Sequence, residues 1–276
     1  MAPMGSLGRV VAAVVSFVTV VSAVSCSSTR PTSTTAATTA TLPAPPPAVG
    51  VERVVLVGDS LAEEAADGVR FFASPTEVVG RYYGGTAPCD WVKQEVPADP
   101  SSVVVLSFTG NNLTPCMADG AGGFLQGGAV LAKYRVDMTA LIDRARGAGA
   151  WVMLVGQPAQ PPSGFLAERV DALNALYREL AQAPYVAFVD AGATVERPDG
   201  SYTTALVCLA WEPECSPTGE NSVRGAIHFC PEVDAAPCPV YSSGALRFGS
   251  AIAAAAIDPA PLDPAPLDPA PLDEVD

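Results

Sequence analysis

The chain has 276 residues, enough for one substantial α/β domain with appendages. It carries 29 acidic against 15 basic residues, a formal net charge of −14, and its only lysines are Lys93 and Lys133. That balance argues against a nucleic-acid binder and against electrostatic attachment to anionic lipid, although part of the acidity lies in the C-terminal tail.

Residues 1–25 read as an export signal. Arg9 supplies the positive start, and Val10 to Val24 form an apolar run too short for the roughly 20 residues of a membrane span. Small residues then precede a cysteine in Ala23-Val24-Ser25-Cys26. This resembles the lipobox of bacterial lipoproteins, with Ala23 in place of the usual leucine. The resemblance implies lipid attachment at Cys26 and a location on the outer face of the cell membrane, with plain secretion as the alternative. Residues 26–50 are rich in Ser, Thr, Ala and Pro without apolar periodicity, which is the composition of a tether.

Strands and helices alternate over 51–257. Expected strands are Val54–Val57, Thr76–Val79, Val103–Phe108, Trp151–Val155 and Val186–Val189. Expected helices are Leu61–Phe72, Ala129–Arg146, Gly164–Gln182 and Ser242–Ala256. Short apolar strands separated by helices predict a three-layer α/β/α sandwich around a mostly parallel five-stranded sheet, with ligand sites at the carboxyl ends of the strands. Residues 191–232 are rich in Pro, Gly and Cys and read as long loops. The tail, 258–276, repeats Asp-Pro-Ala-Pro-Leu and forbids helix or ladder pairing.

The chain is organised around Arg53 to Arg70, RVVLVGDSLAEEAADGVR. An apolar strand ends at Gly58-Asp59-Ser60, and helical spacing starts after it. Ser60 therefore stands where backbone N–H groups and the positive end of a helix dipole face its hydroxyl. A nucleophilic serine needs such donors for the oxyanion formed beside it. A helix N-cap is the competing reading of the same tripeptide.

Six cysteines lie in the domain region, apart from Cys26. In an exported chain they suggest three disulfides. Closeness in sequence favours Cys208–Cys215 and Cys230–Cys238, leaving Cys89–Cys116. With no C-x-x-C pair, disulfides are favoured over a metal site.

From Val51 to Ala256 the chain resembles the SGNH hydrolases, the GDSL esterase/lipase family. Gly58-Asp59-Ser60 matches the first block, Gly85 the second and Gly110-Asn111-Asn112-Leu113 the third. Gly225-Ala226-Ile227-His228 falls where the family has Asp-x-x-His. The resemblance implies a flavodoxin-like fold and an esterase without cofactor or metal. Ser60 would be the nucleophile and His228, the only histidine, the base. The N–H groups of Ser60 and Gly85 and the amide of Asn112, with Asn111 as its alternative, would form the oxyanion hole. A Cys89–Cys116 bridge would clamp the two oxyanion-forming loops. The aspartate three residues before the histidine is absent. A backbone carbonyl, Asp190, Glu232 or Asp234 is left to orient the ring, with Asp190 the first candidate acid.

These readings predict a monomeric envelope esterase acting on an O-acyl ester of a glycan, lipid or small molecule. The alternatives are an O-acyltransferase and a degenerate domain that binds envelope glycan or a protein partner without turnover.

Overall fold

The computed structural model describes residues 50–164, 166–212, 215–229 and 242–259. The expected export signal with Cys26, the expected tether up to residue 49, the expected Cys230–Cys238 pair, Glu232, Asp234 and the tail beyond residue 259 lie outside the described residues.

The framework is a parallel sheet of five strands, β1 (Arg53–Gly58), β2 (Glu77–Tyr82), β3 (Ser102–Ser107), β4 (Trp151–Val155) and β5 (Val186–Val189), in the order β2-β1-β3-β4-β5. This is the doubly wound, flavodoxin-like order, in which the chain reverses direction across the sheet between β1 and β3. The central strands read as apolar runs because both of their faces are covered. Every residue of β3 is buried, as is every residue of β1 after Arg53. Alternation sorts their side chains into two cores. Val54, Leu56, Val103 and Val105 pack under one helical layer, and Val55, Val57, Val104 and Leu106 under the other.

The first layer is α1 (Ser60–Ala73) and α5 (Ser243–Ile257); the second includes α3 (Gly128–Gly147) and α4 (Ala167–Leu180). Helix α1 buries Leu61, Ala62, Ala65, Ala66, Val69 and Ala73, a stripe of mostly small residues. That stripe lets α5 approach closely. A Cβ on Gly249 would stand 2.9 Å from the carbonyl oxygen of Ala65 and the nitrogen of Val69. A buried ion pair ties α5 to the region before it. Arg247 Nε lies 2.6 Å from Glu212 Oε1, and the two side chains are 4% and 1% exposed.

Two small features stand outside the expected elements. Helix α2 (Pro88–Trp91) is a single turn, and β6 (Ala205–Val207) pairs antiparallel with β7 (Glu220–Ser222) in the region read as loops. The sequence of β7, Glu-Asn-Ser, offers no apolar alternation to read, and that of β6, Ala-Leu-Val, is too short for one. The expected start of β2 holds to within a residue, but the strand runs on through Gly80 and Arg81 to Tyr82, because it pairs with β1 residue for residue as far as Gly58.

The junction of β1 and α1 is the tightest point of the sheet. A Cβ on Gly58 would stand 2.2 Å from the carbonyl oxygen of Ser107 and 2.5 Å from Ala62 Cβ. Replacing Gly58 with alanine must push the first turn of α1 off β3. The Gly58→Ala variant is expected to lose on the order of 2 kcal/mol in urea unfolding, in the range of overpacked core sites. An unchanged midpoint would show that the junction is looser than its contacts indicate.

Candidate active site

Asp59 caps α1 and holds the turn that presents Ser60. Its Oδ1 accepts the N–H of Leu61 at 3.2 Å. Its Oδ2 accepts the N–H of Thr109 at 2.6 Å, the Thr109 hydroxyl at 2.7 Å and the Asn111 amide at 3.0 Å. One fully buried carboxylate thus joins the end of β1, the start of α1 and the loop after β3. Burial pushes its pKa up to about 6, against the pull of these donors. Four donors aimed at one carboxyl group suit the ionised form, which is the form present at neutral pH.

Ser60 is the first residue of α1, so its N–H lies among the orphan donors of the helix start. Beside it the chain after β2 makes a turn, with Thr86 N–H donating to the carbonyl of Tyr83 at 3.3 Å and Gly85 at φ +78°. That backbone region favours glycine. The turn is fastened to the end of β1 by Tyr83 N–H and by the Thr86 hydroxyl, each 3.2 Å from the carbonyl of Gly58. Gly84 comes nearest the serine, since a Cβ there would lie 3.7 Å from Ser60 Cβ, but its N–H donates to Glu63 Oε2 at 3.0 Å. The N–H groups of Ser60 and Gly85 have no acceptor among the described residues.

Across 168 positions of sequence, His228 Nε2 stands 3.1 Å from Ser60 Oγ. The segment that carries the histidine has no regular structure and is held from beneath by Arg224. This guanidinium is 1% exposed and donates to the carbonyls of Ile227 at 2.6 Å and Ala159 at 2.8 Å. Tyr202 adds a hydroxyl bond of 2.5 Å to the Gly225 carbonyl, and the Gly225 N–H donates to the carbonyl of His228 at 2.9 Å. Burial brings the Arg224 pKa down to about 10, so it remains a cation at neutral pH. Partial burial lowers the His228 pKa, Asp59 pulls it back up and Arg224 lowers it further, with half of the side chain still accessible. At neutral pH the imidazole is predominantly uncharged.

The other ring nitrogen faces a residue that sequence reasoning passed over. Glu64 Oε1 lies 3.6 Å from His228 Nδ1, and Glu64 Oε2 accepts the N–H of Phe229 at 2.7 Å. The Glu64 side chain is 12% exposed, and burial pushes its pKa up to about 7. Asp190, the first candidate acid by sequence, stands elsewhere. It pairs with Arg178 at 2.8 Å and lines a polar cavity with Asp171, Asn174 and Glu196. The reason is topological. Asp190 follows β5, three strands along from β1, and strands lie about 4.8 Å apart, which puts the two ends on the order of 14 Å apart.

The asparagine pair also divides. Asn112, to which spacing assigned the oxyanion role, is buried, with its amide on the carbonyl of Leu125 at 2.7 Å and its oxygen accepting from Arg169 at 3.2 Å. Asn111, its alternative, faces the serine turn, where its amide donates to Asp59 and, at 3.3 Å, to the carbonyl of Thr86. Neighbouring side chains in an irregular extended stretch point apart, so one of the two faces the site and the other the core.

Disulfides Cys89–Cys116 and Cys208–Cys215 are both formed. The first joins α2, just beyond the Gly84–Gly85 turn, to the segment just beyond Asn111-Asn112. Asp90 reinforces that joint by accepting from the Thr114 hydroxyl at 2.8 Å and the Ala87 N–H at 2.9 Å. The two sulfurs are bonded to one another, so the cluster Cys89, Asp90 and Cys116 offers no thiolate to a metal.

The sequence profile of the GDSL-like lipase/acylhydrolase family matches residues 56–208, more than half of the chain. The chain belongs to the GDSL-like lipase/acylhydrolase family. The matched stretch carries Ser60, Gly85, Asn111 and Asn112 but ends before His228. No curated protein matches the chain by sequence. Among solved structures it is similar to the C-terminal catalytic domain of the peptidoglycan O-acetyltransferase A of Streptococcus pneumoniae, at 17% identity and a TM-score of 0.47, covering 78% of this chain and 98% of that one. It is similar to a GDSL-like lipase of Bacteroides thetaiotaomicron at 16% identity and a TM-score of 0.47, covering 76% and 89%. An acetylxylan esterase of Geobacillus stearothermophilus aligns at 10% identity and a TM-score of 0.37, covering 55% and 87%.

For this GDSL-like acylhydrolase, the division of the asparagines gives a paired prediction. Asn111→Ala removes a donor from the buried Asp59 carboxylate and the tie to the Thr86 carbonyl, and is expected to lower ester turnover by about 10²-fold and to cost roughly 1–3 kcal/mol in urea unfolding. Asn112→Ala is expected to cost roughly 1–3 kcal/mol in urea unfolding by leaving buried groups unpaired, with the smaller loss of turnover. Rates and unfolding midpoints of both variants check this, and the reverse order of turnover losses would restore the role to Asn112.

Proposed function

We propose that this acylhydrolase is a serine esterase of the cell envelope that cleaves an O-acyl ester through Ser60 and His228. The observation that carries the reading is the 3.1 Å approach of His228 Nε2 to Ser60 Oγ, at a helix start whose first amide has no acceptor among the described residues. In the first step Ser60 Oγ bonds to the ester carbonyl carbon as its proton passes to His228 Nε2. The carbonyl electrons move to the oxygen, and in this reading the N–H groups of Ser60 and Gly85 would receive that oxyanion. As the tetrahedral adduct collapses, the C–O bond to the alcohol breaks and His228 returns the proton to the departing oxygen. Water repeats the sequence on the acyl-serine, giving the free acid and restoring the hydroxyl. A sugar hydroxyl in place of water would make the same intermediate a donor for acyl transfer.

The substrate class in this reading is an acyl ester borne by an envelope glycan or lipid, or a small ester that reaches the cell surface. Two disulfides support export, since such bonds persist in oxidising compartments. The apolar leader and Cys26 support a lipid anchor.

The catalytic part is tested by fluorophosphonate labelling of the purified protein beside Ser60→Ala, with hydrolysis of short acyl esters followed in parallel. Labelling and turnover are expected in the parent and absent from the folded variant; an unlabelled, disulfide-intact parent would sink the hydrolase reading. The anchor is tested by feeding cells a labelled fatty acid. Incorporation should depend on Cys26 and vanish in Cys26→Ser, whereas equal release of both proteins into the medium would make the enzyme a secreted one.

A further inference from the structure

We propose that Glu64, one helical turn beyond Ser60 on α1, is the positioning carboxylate for His228, replacing the aspartate that the histidine's own segment lacks. The inference rests on the reading of Ser60 and His228 as the reacting pair. It is carried by three observations on that pair.

The first is placement. Residues four apart on a helix share a face, so the helix that presents the serine also presents Glu64 to the same ring. Ser60 Oγ meets Nε2, and Glu64 Oε1 approaches Nδ1 at 3.6 Å from the opposite edge of the imidazole. That contact is longer than a hydrogen bond, and such contacts in resting sites are often long and shorten in the working complex. The second is fixation. The other oxygen, Oε2, is pinned by the Phe229 N–H at 2.7 Å, the amide that directly follows the histidine. The carboxylate and the histidine's segment therefore move together. The third is the lack of a rival among the described residues. Position 225, three before the histidine, is glycine, and Asp190 is held by Arg178.

The role follows from tautomers. To take the serine proton, Nε2 must carry a lone pair, so in the neutral ring Nδ1 must hold the hydrogen. A carboxylate beside Nδ1 favours that tautomer and stabilises the imidazolium once the proton arrives. A glutamine at position 64 inverts the preference. Its oxygen is claimed by the Phe229 N–H, which turns its amide hydrogens toward Nδ1 and drives the ring hydrogen to Nε2.

The charges facing this pair are Glu63 and Arg224 around Glu64, and Asp59 and Arg224 around His228. Glu64 must be ionised to accept, so turnover rises with pH as the pair loses its proton. In Glu64→Gln that limb belongs to His228 alone, whose pKa is lowered by burial and by Arg224, so the limb moves to lower pH.

The test compares Glu64→Gln and Glu64→Asp with the parent, Ser60→Ala and His228→Ala in the full chain, using p-nitrophenyl acetate as substrate. Because the chain has a single histidine, its long-range 1H–15N spectrum reports the tautomer without overlap. Glu64→Gln is expected to lose about 10³-fold in kcat with little change in KM. Its acid limb should shift down and its ring should change from the Nδ1–H to the Nε2–H form. Glu64→Asp, which keeps the charge one methylene farther back, should recover at least tenfold over glutamine. The proposal is overturned if Glu64→Gln stays within about threefold of the parent with the same tautomer, or if Asp and Gln are equally impaired. Failure of the underlying reading looks different: Ser60→Ala or His228→Ala would then retain full turnover.

Discussion

The carboxylate of Asp59 is the constraint on which the geometry of the site depends. It is completely buried and receives donors from α1, from Thr109 and from Asn111, so the strand end, the helix start and the loop after β3 meet at one group. A buried ion is tolerated only when its lone pairs are satisfied, and here they are. The same clustering explains why Gly58 has no side chain, because the carbonyl of Ser107 occupies the space where one would stand. The serine hydroxyl is therefore aimed by the folding of the two central strands rather than by a mobile loop.

The histidine is held in another way. No strand or helix carries it, and an irregular segment would normally leave such a side chain imprecise. The buried guanidinium of Arg224 supplies the missing rigidity by binding the carbonyls of Ile227 and Ala159, one on the histidine's segment and one on the loop after β4. Tyr202 and the Glu64–Phe229 bond fasten it at two further points. Ser60 is thus placed by a helix start, and His228 by polar bonds to groups from several loops and from α1. The second arrangement is the more sensitive to single substitutions, since each buried bond lost leaves a group without a partner.

Much of this architecture was legible in the sequence because β-branched runs such as Val54–Val57 and Val103–Val105 can be satisfied only inside a sheet covered on both faces. The strand ends fell within a few residues of the apolar runs. What escaped notice was short or polar: the single turn of α2 and the three-residue strands β6 and β7. Spacing favoured Asn112 over Asn111, but a one-residue choice depends on which way the chain leaves Gly110, at φ +99°. Glu64 escaped because the acid was sought at Asp190, after β5, and just beyond the histidine at Glu232 and Asp234, whereas the contact spans two segments 164 positions apart. A signal for it was present. In the α1 pattern Glu64 sits at i+4 from Ser60, on the serine's own face, among neighbours that are almost all buried and apolar. What the pattern could not say was that the histidine would arrive above that face rather than above Glu63.

The electrostatics of the resting site follow from burial more than from pairing. Glu64 is pushed up to about 7 while burial lowers His228, so the carboxyl group holds its proton more tightly than the ring and the pair carries little separated charge near neutrality. Asp59 and Glu64 both keep their protons more tightly in the folded chain than in the unfolded one. Their ionisation therefore works against stability as pH rises from about 4, where they titrate when unfolded, to about 7. A carboxyl group that costs stability when charged, yet stands beside the ring nitrogen opposite a serine, is poorly explained as a fold-stabilising device. Its effect is better matched to the moment when the imidazole gains a proton. A charge then appears 3.6 Å from the carboxylate, in surroundings where water screens it only on one side, and the attraction that was weak at rest becomes strong.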